Sequence, residues 1–187
     1  MLLLLTTLLA APPTLPADTG RTLNGVTMPE TIDVEGHSLE LNGMALRKKV
    51  VFKVYIAALY LASKSSNPDE IINADAPRRM VMHFVRNVDK GKICEAWDDG
   101  LENNTPNPTA ALKQQFTELC ALMDDIKDGQ AFVFTYVPDK GTIVEVAGAE
   151  KGTVVGKEFA DAMLRCWIGP KPGPGEGFKK GLLGISS

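Results

Sequence analysis

Histidine is scarce: His37 and His83 are the only two in the chain, and they stand far apart. No paired-histidine metal centre can be built from them, and neither cysteine nor acidic spacing supplies another. A basic excess is missing as well. Twenty Lys and Arg face 23 Asp and Glu, for a net charge of -3, which argues against a nucleic-acid partner. No apolar run reaches the roughly 18 residues of a membrane-spanning helix. The chain also lacks a phosphate-binding loop, a dinucleotide fingerprint and a G-x-S-x-G elbow. Residues 169–177, GPKPGPGEG, are rich in glycine, but three prolines remove the backbone donors that a phosphate cradle needs. Asp98-Asp99 and Asp124-Asp125 fall on helix surfaces or ends and read as solvated pairs.

What is present is a chain of 187 residues, 44% hydrophobic, enough for one globular domain with a real core. It opens on MLLLLTTLLAA followed by PPTLPA, without a charge up to Ala17. This apolar stretch ending in small residues and prolines predicts a secretory signal peptide over residues 1–17, without the usual basic start. Residues 18–187 then form a single mature domain in an exported, periplasmic or secreted protein. Export makes the three cysteines matter. Cys94, Cys120 and Cys166 each fall in the apolar stripe of a predicted helix, so all three read first as buried thiols. One disulfide is the alternative; the odd count leaves a thiol over.

Periodicity predicts two short strands across residues 25–41, joined at Glu35-Gly36. Asn42-Gly43 is a second turn signal. Residues 50–61 carry one charge, Lys53, and predict a central strand buried on much of both faces. Asn67-Pro68-Asp69-Glu70 has the cap, proline and first-turn acids of a short helix. Residues 78–86 alternate as a strand, Asp89 caps a helix to about Asn103, and Thr109 or Asn107 caps the next. A strand pair over 131–137 and 142–146 turns at Pro138-Asp139-Lys140-Gly141. A short strand at 152–155, a helix at 158–168 and a last helix at 178–183 complete the order. Strands and helices do not alternate strictly, so the fold class is α+β, a mainly antiparallel sheet with helices on one face.

One stretch carries candidate chemistry. NGMALRKKVVFKVYIAALYLAS, residues 42–63, sets Arg47, Lys48 and Lys49 directly against the apolar strand, with Tyr55 eight residues on. Strand alternation puts Lys53 and Tyr55 on one face and Val54, Ile56 and Ala58 on the other. An Arg guanidinium and a Tyr hydroxyl converging in an apolar cleft form a clamp for a carboxylate or phenolate. A solubilising cation cluster at a strand start is the competing reading.

The same stretch resembles the chalcone isomerase family, in which an arginine after a glycine-containing turn precedes a strand of the "KF-T-AIGVYLE" type. EAWDDGLENN, the AFVFTYVPDKGTIVEVAG hairpin and GKEFADAMLRCWIG follow in matching order, so the resemblance spans residues 26–184. It is nearest to the bacterial, secreted chalcone isomerase-like proteins. The resemblance implies an open-faced β-sandwich with a cleft between sheet and helices, no cofactor and a small amphiphile as partner. It offers two functions. Enzymes of the family close chalcone-like enones by conjugate addition, while other members bind fatty acids through an Arg and a Tyr. Arg47 matches the family arginine that meets the ligand oxyanion, catalytic in the first case and ligand-binding in the second. Tyr55 falls where the enzymes carry a catalytic threonine and is similar to the fatty-acid-binding branch. The region VRNVDKGKICEAW has no tyrosine for the enzymes' polar network; Lys92 takes the asparagine position, and Asn87 does not align. The expectation is therefore a non-catalytic binder of a fatty acid or similar anionic amphiphile, held by Arg47 and Tyr55.

Overall fold

A computed structural model describes residues 20–185; the expected signal peptide lies outside the described residues. The chain begins with a ribbon, β1 (Gly20–Leu23) and β2 (Val26–Pro29), turned at Asn24-Gly25. A seven-stranded antiparallel sheet follows, built from β3 (Thr31–Val34), β4 (His37–Lys49), β5 (Phe52–Leu61), β6 (Arg78–Phe84), β7 (Ala131–Val137), β8 (Gly141–Val146) and β9 (Ala149–Val154). Its spatial order is its chain order. Helix α1 (Pro68–Asn73) joins β5 to β6, and α2 (Lys90–Asn104) and α3 (Ala110–Leu122) join β6 to β7. The last two helices, α4 (Lys157–Ile168) and α5 (Glu176–Leu182), come after the sheet.

Strand alternation sorts the side chains into two apolar layers. Tyr55, Ala57, Leu59 and Leu61 of β5 join the large core beneath all five helices. Ile56, Ala58 and Tyr60 point to the opposite face, where Met28 and the partly buried Leu23 and Val26 of the ribbon pack over them. The helices thus share one face and a two-stranded ribbon shields part of the other, as the α+β reading expects. No helix among the described residues is long and apolar enough to cross a membrane.

Asn67 caps α1 by accepting from the Asp69 and Glu70 amides, and Thr109 caps α3 by accepting from Leu112 N. Asn42-Gly43, in contrast, makes no turn. β4 runs straight through it with a bulge at Asn42, because the Asn42 side chain finds distant partners. Its Nδ2 donates to Ser65 O at 3.0 Å and Leu182 O at 2.8 Å, and its Oδ1 accepts from Ser65 N at 2.9 Å. The reversal falls instead at Val50-Val51, where Lys49 pairs with Phe52.

The cysteines also differ from the first reading. Cys94 of α2 and Cys120 of α3 form a disulfide, and only Cys166 is a buried free thiol. Both bridged residues are half-buried, at the margin of their helix stripes, where they meet each other and not the core. Closing a 26-residue separation stabilises the fold by about 3.5 kcal/mol in the chain-entropy picture.

Candidate functional site

The register of β4 and β5 sets Arg47 directly opposite Tyr55. Both belong to the helix-facing side, since Ala45, paired with Ala57 one step along, lies in the large core. The two residues thus sit on neighbouring strands and on the same face of the sheet. A second register shift follows at once, between Arg47 and Lys48, and leaves Val54 bulged toward the helix-side core. Lys53 is flipped by that bulge to the ribbon side, where its Nζ donates to Asn24 Oδ1 at 2.7 Å. The expectation that Lys53 shares a face with Tyr55 is corrected accordingly: strict alternation ends where a bulge adds a residue.

Tyr55 is buried, its ring 5.4 Å from Phe84 and 5.8 Å from Phe178, the latter edge-on. Burial pushes its hydroxyl from the ordinary 10.0 up to about 12, and a hydrogen bond with Trp167 and the Arg47 charge pull it back only in part. Tyr55 therefore keeps its proton at any physiological pH and offers a hydrogen-bond donor next to a permanent cation. That combination suits a carboxylate and not a substrate needing a base. Arg47 is half-buried, and its Nη1 donates to Pro174 O at 3.1 Å. The proline-rich segment 169–175 is a loop and lies against Arg47 through that bond. Asn104 fixes its base, donating to Lys171 O at 2.9 Å and accepting from Lys171 N at 2.8 Å.

Between sheet and α4 lies a void of only about 20 Å³, lined by Leu59, Met80, Met163, Leu164 and Trp167 among others. An open groove of about 480 Å³ runs along Met44, Ala45 and Leu46 against Pro174, Gly175 and Phe178. Pockets for small molecules usually enclose about 300–1,000 Å³, a range that the void misses and the open groove meets. Lys92 and Asn87 are elsewhere. Lys92 is exposed and paired with Asp89, and Asn87 accepts from Asp128 N. Pro174, Trp167 and Phe178 were not legible as site residues, because each lies more than a hundred positions from its partner in β4 or β5.

A sequence profile of the chalcone isomerase-like family matches residues 20–184. The chain belongs to the chalcone isomerase-like family. No curated protein is detectably similar in sequence. Among solved structures, 36 chains are similar. One is a fatty-acid binding protein from Arabidopsis thaliana, with 16% identity, a TM-score of 0.70, and coverage of 88% of this chain and 96% of that one. At that identity the likeness concerns the fold, which is the open-faced arrangement expected of the family.

The buried protons of the site predict an alkaline weakness. Cys166, like Tyr55, is pushed up to about 12 by burial, from an ordinary 9.0. Both groups hold their protons in the folded chain and release them on unfolding once pH exceeds the ordinary values. Their share of stability is complete below about pH 9 and is lost as pH rises toward 12, by about 1.4 kcal/mol per unit for each group titrating. Urea midpoints should fall between about pH 9 and 11, with a shallower slope in Tyr55→Phe. A flat profile overturns the assignment.

Proposed function

We propose that this protein binds a fatty acid or similar anionic amphiphile without transforming it. Arg47 and the protonated Tyr55 hold the carboxylate, and the tail lies between the sheet and α4–α5. The observation that carries this reading is Arg47 and Tyr55 face to face in register, the arginine already donating to a carbonyl oxygen, that of Pro174. A carboxylate takes over that donor when the 170–175 segment moves aside, and gains the charge that a carbonyl lacks. The likeness to a fatty-acid binding protein supports the same reading. We further propose an exported, oxidising location, which the Cys94–Cys120 disulfide supports.

Calorimetric titration of the delipidated protein with oleate tests the reading. Binding is expected in the wild type and about 10- to 100-fold weaker in Arg47→Ala, the range set by one charge-assisted hydrogen bond. Tyr55→Phe should weaken it by a smaller factor. No heat with fatty acids of any length, or equal affinity in Arg47→Ala, overturns the reading.

A further inference from the structure

The turn between β4 and β5 is built against hairpin chemistry. Tight turns that need positive φ favour glycine and asparagine, and Asn24-Gly25, Glu35-Gly36 and Ala147-Gly148 each supply a glycine there. At the β4–β5 tip the sequence places Val50 and Val51, and Val50 takes φ 58°, a left-handed conformation disfavoured for β-branched residues. Those valines are not used for packing. Val50 is 88%, Val51 78% and Phe52 58% exposed, three of the five exposed large hydrophobics among the described residues.

Cations ring this apolar tip. Lys48, Lys49 and Lys53 flank it in sequence, and the Arg86 guanidinium lies 4.8 Å over the Phe52 ring. Among the described residues none of the four is ion-paired with a carboxylate. No acidic residue occurs between Glu40 and Asp69, in a chain whose net charge is -3. The cluster is therefore local and set against the overall charge.

We infer that the β4–β5 hairpin tip docks the protein onto the surface of an anionic phospholipid bilayer. Val50, Val51 and Phe52 enter the acyl boundary, while the lysines and Arg86 stay at the phosphates. A protein partner fits less well. Lysine is depleted at protein interfaces, and those interfaces take a broad patch, not a convex tip of three residues. The inference goes beyond ligand binding and stands without it.

A Phe52→Trp variant reads the tip locally, since Trp97 and Trp167 are buried and serve as silent background. Its emission is expected to shift to the blue with vesicles of phosphatidylcholine containing about a third phosphatidylglycerol, and to be quenched by brominated acyl chains. Pure phosphatidylcholine should need at least about tenfold more lipid, and salt should weaken the anionic response. Adding Lys48→Glu with Lys49→Glu should cost about tenfold or more, and adding Val51→Asp should remove the shift. Unchanged circular dichroism verifies that these surface variants fold. No shift with anionic vesicles overturns the inference, as does an equal shift with neutral ones. A response to polyglutamate in place of vesicles, or a concentration-dependent shift without lipid that tracks dimer formation, assigns the tip to a protein or a second copy and overturns it too. Oleate binding retained in the Val51→Asp variant keeps this outcome separate from that of the Arg47 site.

Discussion

Arg78→Ala is expected to lower the unfolding free energy by about 3–5 kcal/mol, the range for removing one partner from a buried charged network. The Arg78 side chain is 6% exposed. Its Nη1 donates to Ile71 O and Ile72 O at 3.3 Å and to Ala74 O at 3.2 Å, and its Nη2 donates to Asp161 Oδ1 at 2.6 Å. The guanidinium also lies 4.7 Å over the Tyr136 ring. One side chain therefore satisfies the carbonyl end of α1 and the carboxylate of α4 from a position in β6. Helix α1 has six residues, too few to hold its shape without such help. Alanine takes this donor from Ile71 O and Ala74 O, leaves Ile72 O with Lys157 Nζ at 3.2 Å, and leaves Asp161 with Lys157 alone, at 2.6 Å. Arg78→Lys keeps the charge but not the fork, and should recover less than half of the loss. Urea unfolding with an unchanged slope is the measurement. A shift below about 1 kcal/mol means that water substitutes for the arginine and the network is not buried in solution.

Gly43→Ala is expected to cost about 3 kcal/mol, at the upper end for an overpacked site, and to loosen one helix selectively. A Cβ on Gly43 meets Gly181 O at 2.2 Å and Leu182 O at 2.5 Å, and both are backbone atoms that cannot rotate away. A Cβ on Gly181 would likewise meet Met44 O at 2.8 Å, and one on Gly184 would meet Asn42 O at 2.9 Å. The contact between β4 and α5 is thus glycine against glycine. Alanine at 43 pushes α5 outward and carries Phe178 away from the Tyr55 ring. Amide exchange should accelerate across residues 176–182 while β5 and β6 remain protected. If the proposed tail site is right, oleate should also enter this variant faster, because Phe178 lines the groove. Uniform acceleration over the whole sheet places the strain elsewhere.

Local chemistry made most of the fold readable. Proline and acids after Asn67, Thr109 ahead of an apolar stripe, and the Pro138–Gly141 turn each act within a few residues of themselves, and each element formed where those signals stand. The failures share a cause at the other extreme of sequence distance. Asn42-Gly43 has the composition of a turn, yet its amide binds Leu182, 140 residues away, and a long-range partner outweighs a local preference. Cys94 and Cys120 carry no spacing signal because two different helices bring them together. Of the site, Arg47 was singled out by family likeness and Tyr55 by strand position. Pro174, Trp167 and Phe178 cover it from elements whose docking no local pattern encodes. The flip of Lys53 escaped for a smaller reason, a single bulged valine.

The disulfide has one more effect, on the order in which the fold assembles. Every sheet connection except β6–β7 is a tight turn or spans only α1, so β3–β6 and β7–β9 are each local meanders. Joining the two halves requires β6 to find β7 across the whole α2–α3 insert, the longest loop closed in the sheet. Cys94–Cys120 lies inside that insert and removes roughly half of its free length, easing closure by under about 1 kcal/mol. Part of the bridge's influence therefore falls on the folding rate. Refolding with the bond intact should be several-fold faster than refolding reduced, the difference appearing in the formation of the β6–β7 ladder and leaving the two meanders as quick as before.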